Sequence, residues 1–80
     1  MTQRFNIQSS EGLGSLVRQA RKYQHLTLED VAGLTGLGTR FISELERGKT
    51  TAQLEKTLLV LRVLGIPLYA EVAWMPERQA

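Results

Sequence analysis

The chain has no cysteine, which excludes disulfides and any zinc–thiolate site. It has a single histidine, His25, with no cysteine near it, which makes a poor metal ligand or catalytic base. No Ser/His/Asp or Cys/His set is present. The glycines at 12, 14, 33, 36 and 38 are scattered rather than gathered into a phosphate-cradling loop. We therefore expect no enzyme, no cofactor and no metal. No apolar run approaches the ~18 residues of a membrane span, and the first residues, MTQRFNIQ, lack an apolar signal core. A cytoplasmic protein is expected. Neither charge sign dominates: the net charge is +2 and the pI about 9.4, which permits a nucleic-acid partner without demanding one.

What remains is a chain of 80 residues, enough for one domain. A domain of that size buries only about 60% of its unfolded surface. Without disulfides or zinc, self-association is the remaining common source of further burial.

The stretch from Leu26 to Lys49, LTLEDVAGLTGLGTRFISELERGK, reads as two short helices joined by a tight turn. Thr27 is a good N-cap, with Glu29 and Asp30 in the first turn. Val31 and Ala32 mark the buried side, and Gly36 stops the helix. Leu37 fills the space between the helices. The next helix starts at Gly38 or Thr39, turns Ile42 and Leu45 inward and ends at Gly48. An ordinary αα-hairpin has the same periodicity. The outward residues separate the two: Thr39, Arg40, Ser43, Glu44 and Arg47, followed by Lys49. Short polar groups at the start and cations at the far end are the layout of a helix that reads base edges and is flanked by phosphates.

These residues carry a family resemblance. Leu26, Thr27, Val31, Ala32, Gly36, Leu37, Phe41, Ile42, Ser43, Leu45, Glu46, Gly48 and Lys49 together resemble the helix-turn-helix of the Cro/C1 repressor (XRE) family. With Leu13, Gly14, Val17 and Arg18 upstream, and a Leu-rich helix and strand downstream, residues 9–74 resemble HipB-like antitoxins. The resemblance implies a mainly α, lambda-repressor-like helix-turn-helix bundle of four helices. It also implies a C-terminal β-strand that forms a two-stranded sheet between subunits. The expected organisation is an N-terminal arm at 1–8, a DNA-binding domain at 9–66, a dimerisation strand at 67–75 and a polar tail at 76–80.

Along the chain, Phe5 and Ile7 suit a loose arm, a short strand beside the C-terminal one, or a DNA-touching arm using Arg4. The first helix begins near Ser9 or Ser10, and Leu13, Leu16, Val17 and Ala20 form its buried stripe. Gly12 and Gly14 should weaken it by roughly 1 kcal/mol each. The resemblance implies a part-buried ion pair between Arg21 and Glu46. His25 replaces a family glycine in the left-handed turn after the first helix. Leu28 replaces a glutamine that reaches a phosphate.

The same resemblance, position by position, implies base reading by Gly38, Thr39, Arg40, Ser43 and Glu44. Arg40 is the strongest candidate, because a guanidinium grips guanine O6 and N7 together. Glu44 either accepts from cytosine N4, or only repels wrong placements and orients Arg40. Thr27, Arg47 and Lys49 are implied to hold phosphates. Phe41 belongs to the core edge or meets a thymine methyl or sugar.

Thr50 to Gln53 has the T-x-x-Q pattern of a capping box for a fourth helix. From Leu58 to Leu64 every residue but Arg62 is apolar, too many for one buried face, so the helix should be covered on two sides. A second copy is the simplest cover. Residues 68–74, LYAEVAW, alternate as a strand does, with Pro67 at its start. Leu59, Val63, Leu68, Ala70, Val72 and Trp74 are the expected dimer residues.

The function expected is a sequence-specific DNA-binding antitoxin that represses its own type II toxin–antitoxin operon through a palindromic double-stranded operator. Its implied protein partner is a HipA-like Ser/Thr kinase toxin. In the cell it would be nucleoid-associated when bound. A stand-alone XRE repressor and a protein-interaction module that binds no DNA are the alternatives.

Overall fold

The computed structural model describes residues 2–75, and the expected tail at 76–80 lies outside the described residues. Its four helices are α1 (Ser10–Tyr23), α2 (Leu28–Thr35), α3 (Thr39–Glu46) and α4 (Leu54–Val63). The first two begin at side-chain caps. Ser9 caps α1, its Oγ accepting from the Gly12 amide at 2.9 Å. Arg21 and Lys22 lie in the last turn of α1, where the helix dipole favours cations. His25 takes the left-handed conformation expected of it, at φ 60°.

Thr27 caps α2 through a reciprocal box. Its Oγ1 accepts from the Asp30 amide at 3.0 Å, and its own amide donates to Asp30 Oδ2 at 2.8 Å. Asp30 is thus the residue that closes the cap. Gly36, left-handed at φ 74°, ends α2. Thr35 shapes the turn that follows: its hydroxyl donates to the Val31 carbonyl and accepts from the Leu37 amide.

The expected capping box at Thr50 to Gln53 does not form. Gln53 itself is the N-cap of α4, without a side-chain cap hydrogen bond. A T-x-x-Q box needs Thr50 in the cap position, and here residues 50 and 51 still belong to the preceding turn.

The core is Val17 of α1, Val31 of α2, Ile42 and Leu45 of α3, and Val60, Leu61 and Leu64 around α4. Leu13, Ala20, Leu26, Leu28, Leu37 and Phe41 pack on its edge. Leu28 therefore exchanges a polar reach for apolar burial. Phe41 is a core-edge residue, with the Lys56 ammonium 6.0 Å from its ring centre.

Two glycines set how closely the elements approach. A Cβ on Gly14 would stand 2.3 Å from the Leu45 carbonyl oxygen and 2.7 Å from that of Glu46. The expected helix-weakening glycine is the contact through which α1 crosses α3. Gly48, at φ 85°, is fixed both by its conformation and by Glu11, whose Cα would be 2.8 Å from its Cβ.

The helix α4 is only half covered by its own chain. Thr57, Val60 and Leu61 are buried. Leu59 and Val63 are half-buried, and Leu54 and Leu58 are exposed. A groove of about 470 Å³ runs along Leu58, Leu61, Arg62, Ile66, Pro67 and Leu68.

The predicted strand over 68–74 is not formed among the described residues. Leu68, Ala70, Val72 and Trp74 are exposed, and residues 73–75 turn. A strand exists only through hydrogen bonds to a neighbouring backbone. Within this chain the arm at 2–8 meets the segment through one exposed ion pair, Arg4 Nη2 to Glu71 Oε2 at 2.7 Å. Among the described residues no helix is long and apolar enough to cross a membrane.

Two glycine substitutions on helices should act in opposite directions. Gly14→Ala has a backbone clash to relieve and should lower unfolding free energy by about 1–3 kcal/mol, despite alanine's better helix propensity. Gly33→Ala, with nothing within 4 Å of the new methyl, should raise it by up to about 1 kcal/mol. Urea unfolding of both variants measures this.

Candidate nucleic-acid interface

The interface is built on an anchor. Arg21 and Glu46 have side chains 10% and 7% exposed and join α1 to the last residue of α3. Arg21 Nε donates to Glu46 Oε2 at 2.6 Å and Nη2 to Oε1 at 3.1 Å, a two-pronged pairing. Arg21 Nη1 donates at 2.8 Å to the Leu26 carbonyl, just before α2. One guanidinium therefore ties α1, the approach to α2 and the end of α3. The hydrogen bond to Glu46 holds the Arg21 guanidinium above its ordinary pKa, against the opposing effect of burial.

With α3 so held, its other end projects. Gly38, Thr39 and Arg40 are exposed, and Ser43 and Glu44 are half-buried. Gly38 is the N-cap, extended at φ −77°, and a Cβ on it would meet nothing within 4 Å. Its missing side chain serves no contact within the described chain. It leaves the helix tip open to close approach from outside.

Arg40 Nε donates to Glu44 Oε2 at 3.2 Å, and Lys49 Nζ to Glu44 Oε1 at 3.0 Å. The Lys49 and Arg40 hydrogen bonds hold the Glu44 carboxyl below the usual carboxylate range. Arg47, the C-cap residue, donates from Nη1 to Ser43 Oγ at 2.8 Å and is exposed. The expected base-reading set thus sits on one helix, with Arg47 and Lys49 just beyond it.

Thr27 lies apart, at the start of α2. Its amide and hydroxyl oxygen are engaged by Asp30, which leaves the hydroxyl proton free. The Asp30 carboxyl is held low by the backbone and side-chain hydrogen bonds of Thr27.

The close-contact role of Gly14, the capping role of Asp30 and any role for Gln24 escaped the sequence reading. Gln24 donates from Nε2 to the Leu64 carbonyl at 2.9 Å and so ties the end of α1 to the end of α4. The Asp30 signal was legible, since T-x-x-D has the spacing of a capping box. Nothing local to Gly14 or Gln24 names a partner 31 or 40 residues away.

The helix-turn-helix family model matches residues 17–70. The chain belongs to the Cro/C1-type helix-turn-helix (XRE) family. The chain is 49% identical over 59 residues to an uncharacterized HTH-type transcriptional regulator, y4mF, of Sinorhizobium fredii, across 74% of this chain and 78% of that one. The fold matches that of a HipB variant in an O2 20mer complex, with a TM-score of 0.81 at 20% identity, over 89% of this chain and 99% of that one. HipB in an O4 20mer complex matches at 0.80 and 20%, over 88% and 99% of the two chains. The chain is a helix-turn-helix transcriptional regulator of the XRE type.

The anchor yields one prediction. Arg21→Met should cost about 3–5 kcal/mol by leaving Glu46 buried and unpaired, whereas Arg21→Met with Glu46→Leu should recover most of that loss. Chemical denaturation of the two variants checks it.

A second prediction concerns acid. Asp30 binds its proton less readily in the folded chain, so its contribution is complete above its unfolded pKa. It is lost as pH falls through the folded one, below about pH 4. Asp30→Asn keeps an acceptor for the Thr27 amide but does not titrate. Its melting temperature should fall less than that of the wild type between pH 5 and pH 3.

Proposed function

We propose that the protein is a homodimeric, sequence-specific DNA-binding antitoxin that represses its own type II toxin–antitoxin operon and partners a HipA-like Ser/Thr kinase. The observation that carries the DNA part is the projecting end of α3. Arg40 and Thr39 are exposed, Gly38 leaves the tip bare, and Arg47 and Lys49 flank it. In this reading Arg40 takes a guanine edge in the major groove, while Thr39 and Ser43 contact neighbouring bases. Arg47, Lys49 and the Thr27 hydroxyl hold phosphates.

Residues Leu59 and Val63, with the exposed Leu68, Ala70, Val72 and Trp74, form the dimer contact. The incomplete burial of Leu59 and Val63, the separate groove that ends at Leu68, and the 68–74 backbone, which is in no ladder among the described residues, support this, since a second copy supplies both apolar cover and the missing strand. A two-fold dimer sets its recognition helices about 34 Å apart, one turn of DNA, and so selects a palindromic operator. The toxin part rests on the likeness of residues 9–74 to HipB-like antitoxins. The S. fredii relative, described as a transcriptional regulator, suits a stand-alone repressor equally well.

Fluorescence anisotropy on duplexes from the region upstream of this protein's own gene tests the DNA part. The wild type should bind one duplex selectively, and its affinity should fall steeply with salt as counterions are released. The Arg40→Ala, Arg47→Ala double variant should bind at least about tenfold more weakly. Undiminished binding by that variant removes the α3 assignment. A monomer at micromolar concentration in sedimentation removes the dimer. A kinase-like reading frame beside the gene, whose product co-purifies with this protein, supports the antitoxin; without one, the stand-alone regulator stands.

A further inference from the structure

Arg47 at the C-cap suits the dipole of α3, but Arg40 and Glu44 within the helix are placed against it. Acids are favoured in the first turn of a helix and cations in the last. This helix has no acid in its first turn and no base in its last, and it carries Arg40 near its start and Glu44 near its end. Their spacing is i, i+4 in the weaker order, cation before carboxylate. Helix stabilisation does not explain the pair.

The geometry suggests another purpose. Glu44 is held at both oxygens, by Arg40 Nε and by Lys49 Nζ, and its side chain is only 22% exposed, whereas that of Arg40 is 90% exposed. A guanidinium carries five N–H groups in a rigid fork. Glu44 engages Arg40 through Nε, and no described residue accepts from its two terminal amino groups. Those two groups form the outer edge of the fork, the edge that matches O6 and N7 of guanine. Each oxygen of Glu44 already accepts from a cation, so a cytosine amino group would have to share one of them.

We propose that Glu44, braced by Lys49, is a positioning residue: it grips Arg40 at Nε and presents the terminal amino groups to a guanine rather than to the nearest phosphate. The inference rests on the DNA-binding reading above and assigns the source of its base selectivity. A free arginine on an exposed helix tip finds phosphates wherever the duplex offers them. One held by a carboxylate has a fixed reach. The carboxylate also repels phosphates from the middle of α3, so that misplaced duplexes are penalised.

The test uses the full chain and a panel of duplexes in which each base pair of the selected half-site is changed in turn, with a random-sequence duplex beside them. Wild type, Glu44→Gln, Arg40→Ala and the Arg40→Ala, Glu44→Gln double variant are titrated by anisotropy, and circular dichroism melts verify that each folds. Glu44→Gln should bind the random duplex at least as tightly as the wild type does, since a negative charge has gone. It should lose about tenfold of discrimination at a single G·C pair per half-site. Arg40→Ala should lose discrimination at the same pair, and the double variant should lose no more than Arg40→Ala alone.

Selective binding by the wild type that Glu44→Gln leaves unaltered overturns the inference while leaving the DNA reading in place. So does a Glu44→Gln loss that persists in the Arg40→Ala background, which would make Glu44 a base reader itself. A wild type indifferent to every duplex takes away the DNA reading and this inference with it.

Discussion

The ion pair of Arg21 with Glu46 governs how the rest of the molecule is arranged. It lies between α1 and α3, almost out of water, with the guanidinium also bonded to the Leu26 carbonyl. Such a pair contributes little net stability against packed hydrocarbon, but an unpaired member is costly. Its value here is directional. Two parallel hydrogen bonds fix where the last turn of α3 sits, and an eight-residue helix fixed at one end presents its other end at a set angle. Gly14 makes the pairing possible, because only a residue without a side chain lets α1 lie against the Leu45 and Glu46 carbonyls.

The outer surface of α3 follows from that anchoring. Its inner side gives Ile42 and Leu45 to the core, and its outer side gives up helix-friendly charge placement. Proteins tend to break local rules where function requires it. Glu44 is answered within the chain by Arg40 and Lys49, but the exposed Arg40 near the positive end of the dipole keeps its terminal amino groups open to an anion from outside. A polyanion that approaches the helix tip would engage them. The same logic applies to α4, whose apolar residues exceed what its own core absorbs, and to the extended segment after it.

The two polar ties at the ends of α1 and α2 are of a different kind. Gln24 and Thr35 spend their side chains on backbone groups at helix ends and in the turn. Left alone, those groups would need water. In so small a domain, with few buried side chains to enforce geometry, such ties fix the angles between helices.

The amino-acid sequence by itself determined the helices, a cap at Thr27 and one at Ser9 or Ser10, and the core residues from Val17 to Leu64; the left-handed turn at His25 came with the family resemblance. The helices, caps and core depend on periodicity or on a side chain reaching its own neighbouring backbone. It also carried the polar outer face of α3 and, through family resemblance, the partnership of Arg21 and Glu46. Tertiary structure alone decided the need for Gly14, the reach of Gln24 to α4, the start of α4 at Gln53 and the two-sided grip on Glu44. Gly14 and Gln24 depend on atoms brought from distant parts of the chain, whereas the grip on Glu44 spans four and five residues and requires the rotamers of three long side chains, which spacing alone does not fix. The segment 68–74 marks the boundary between the two: alternation specifies which faces a strand would have, but a strand forms only where another backbone lies beside it.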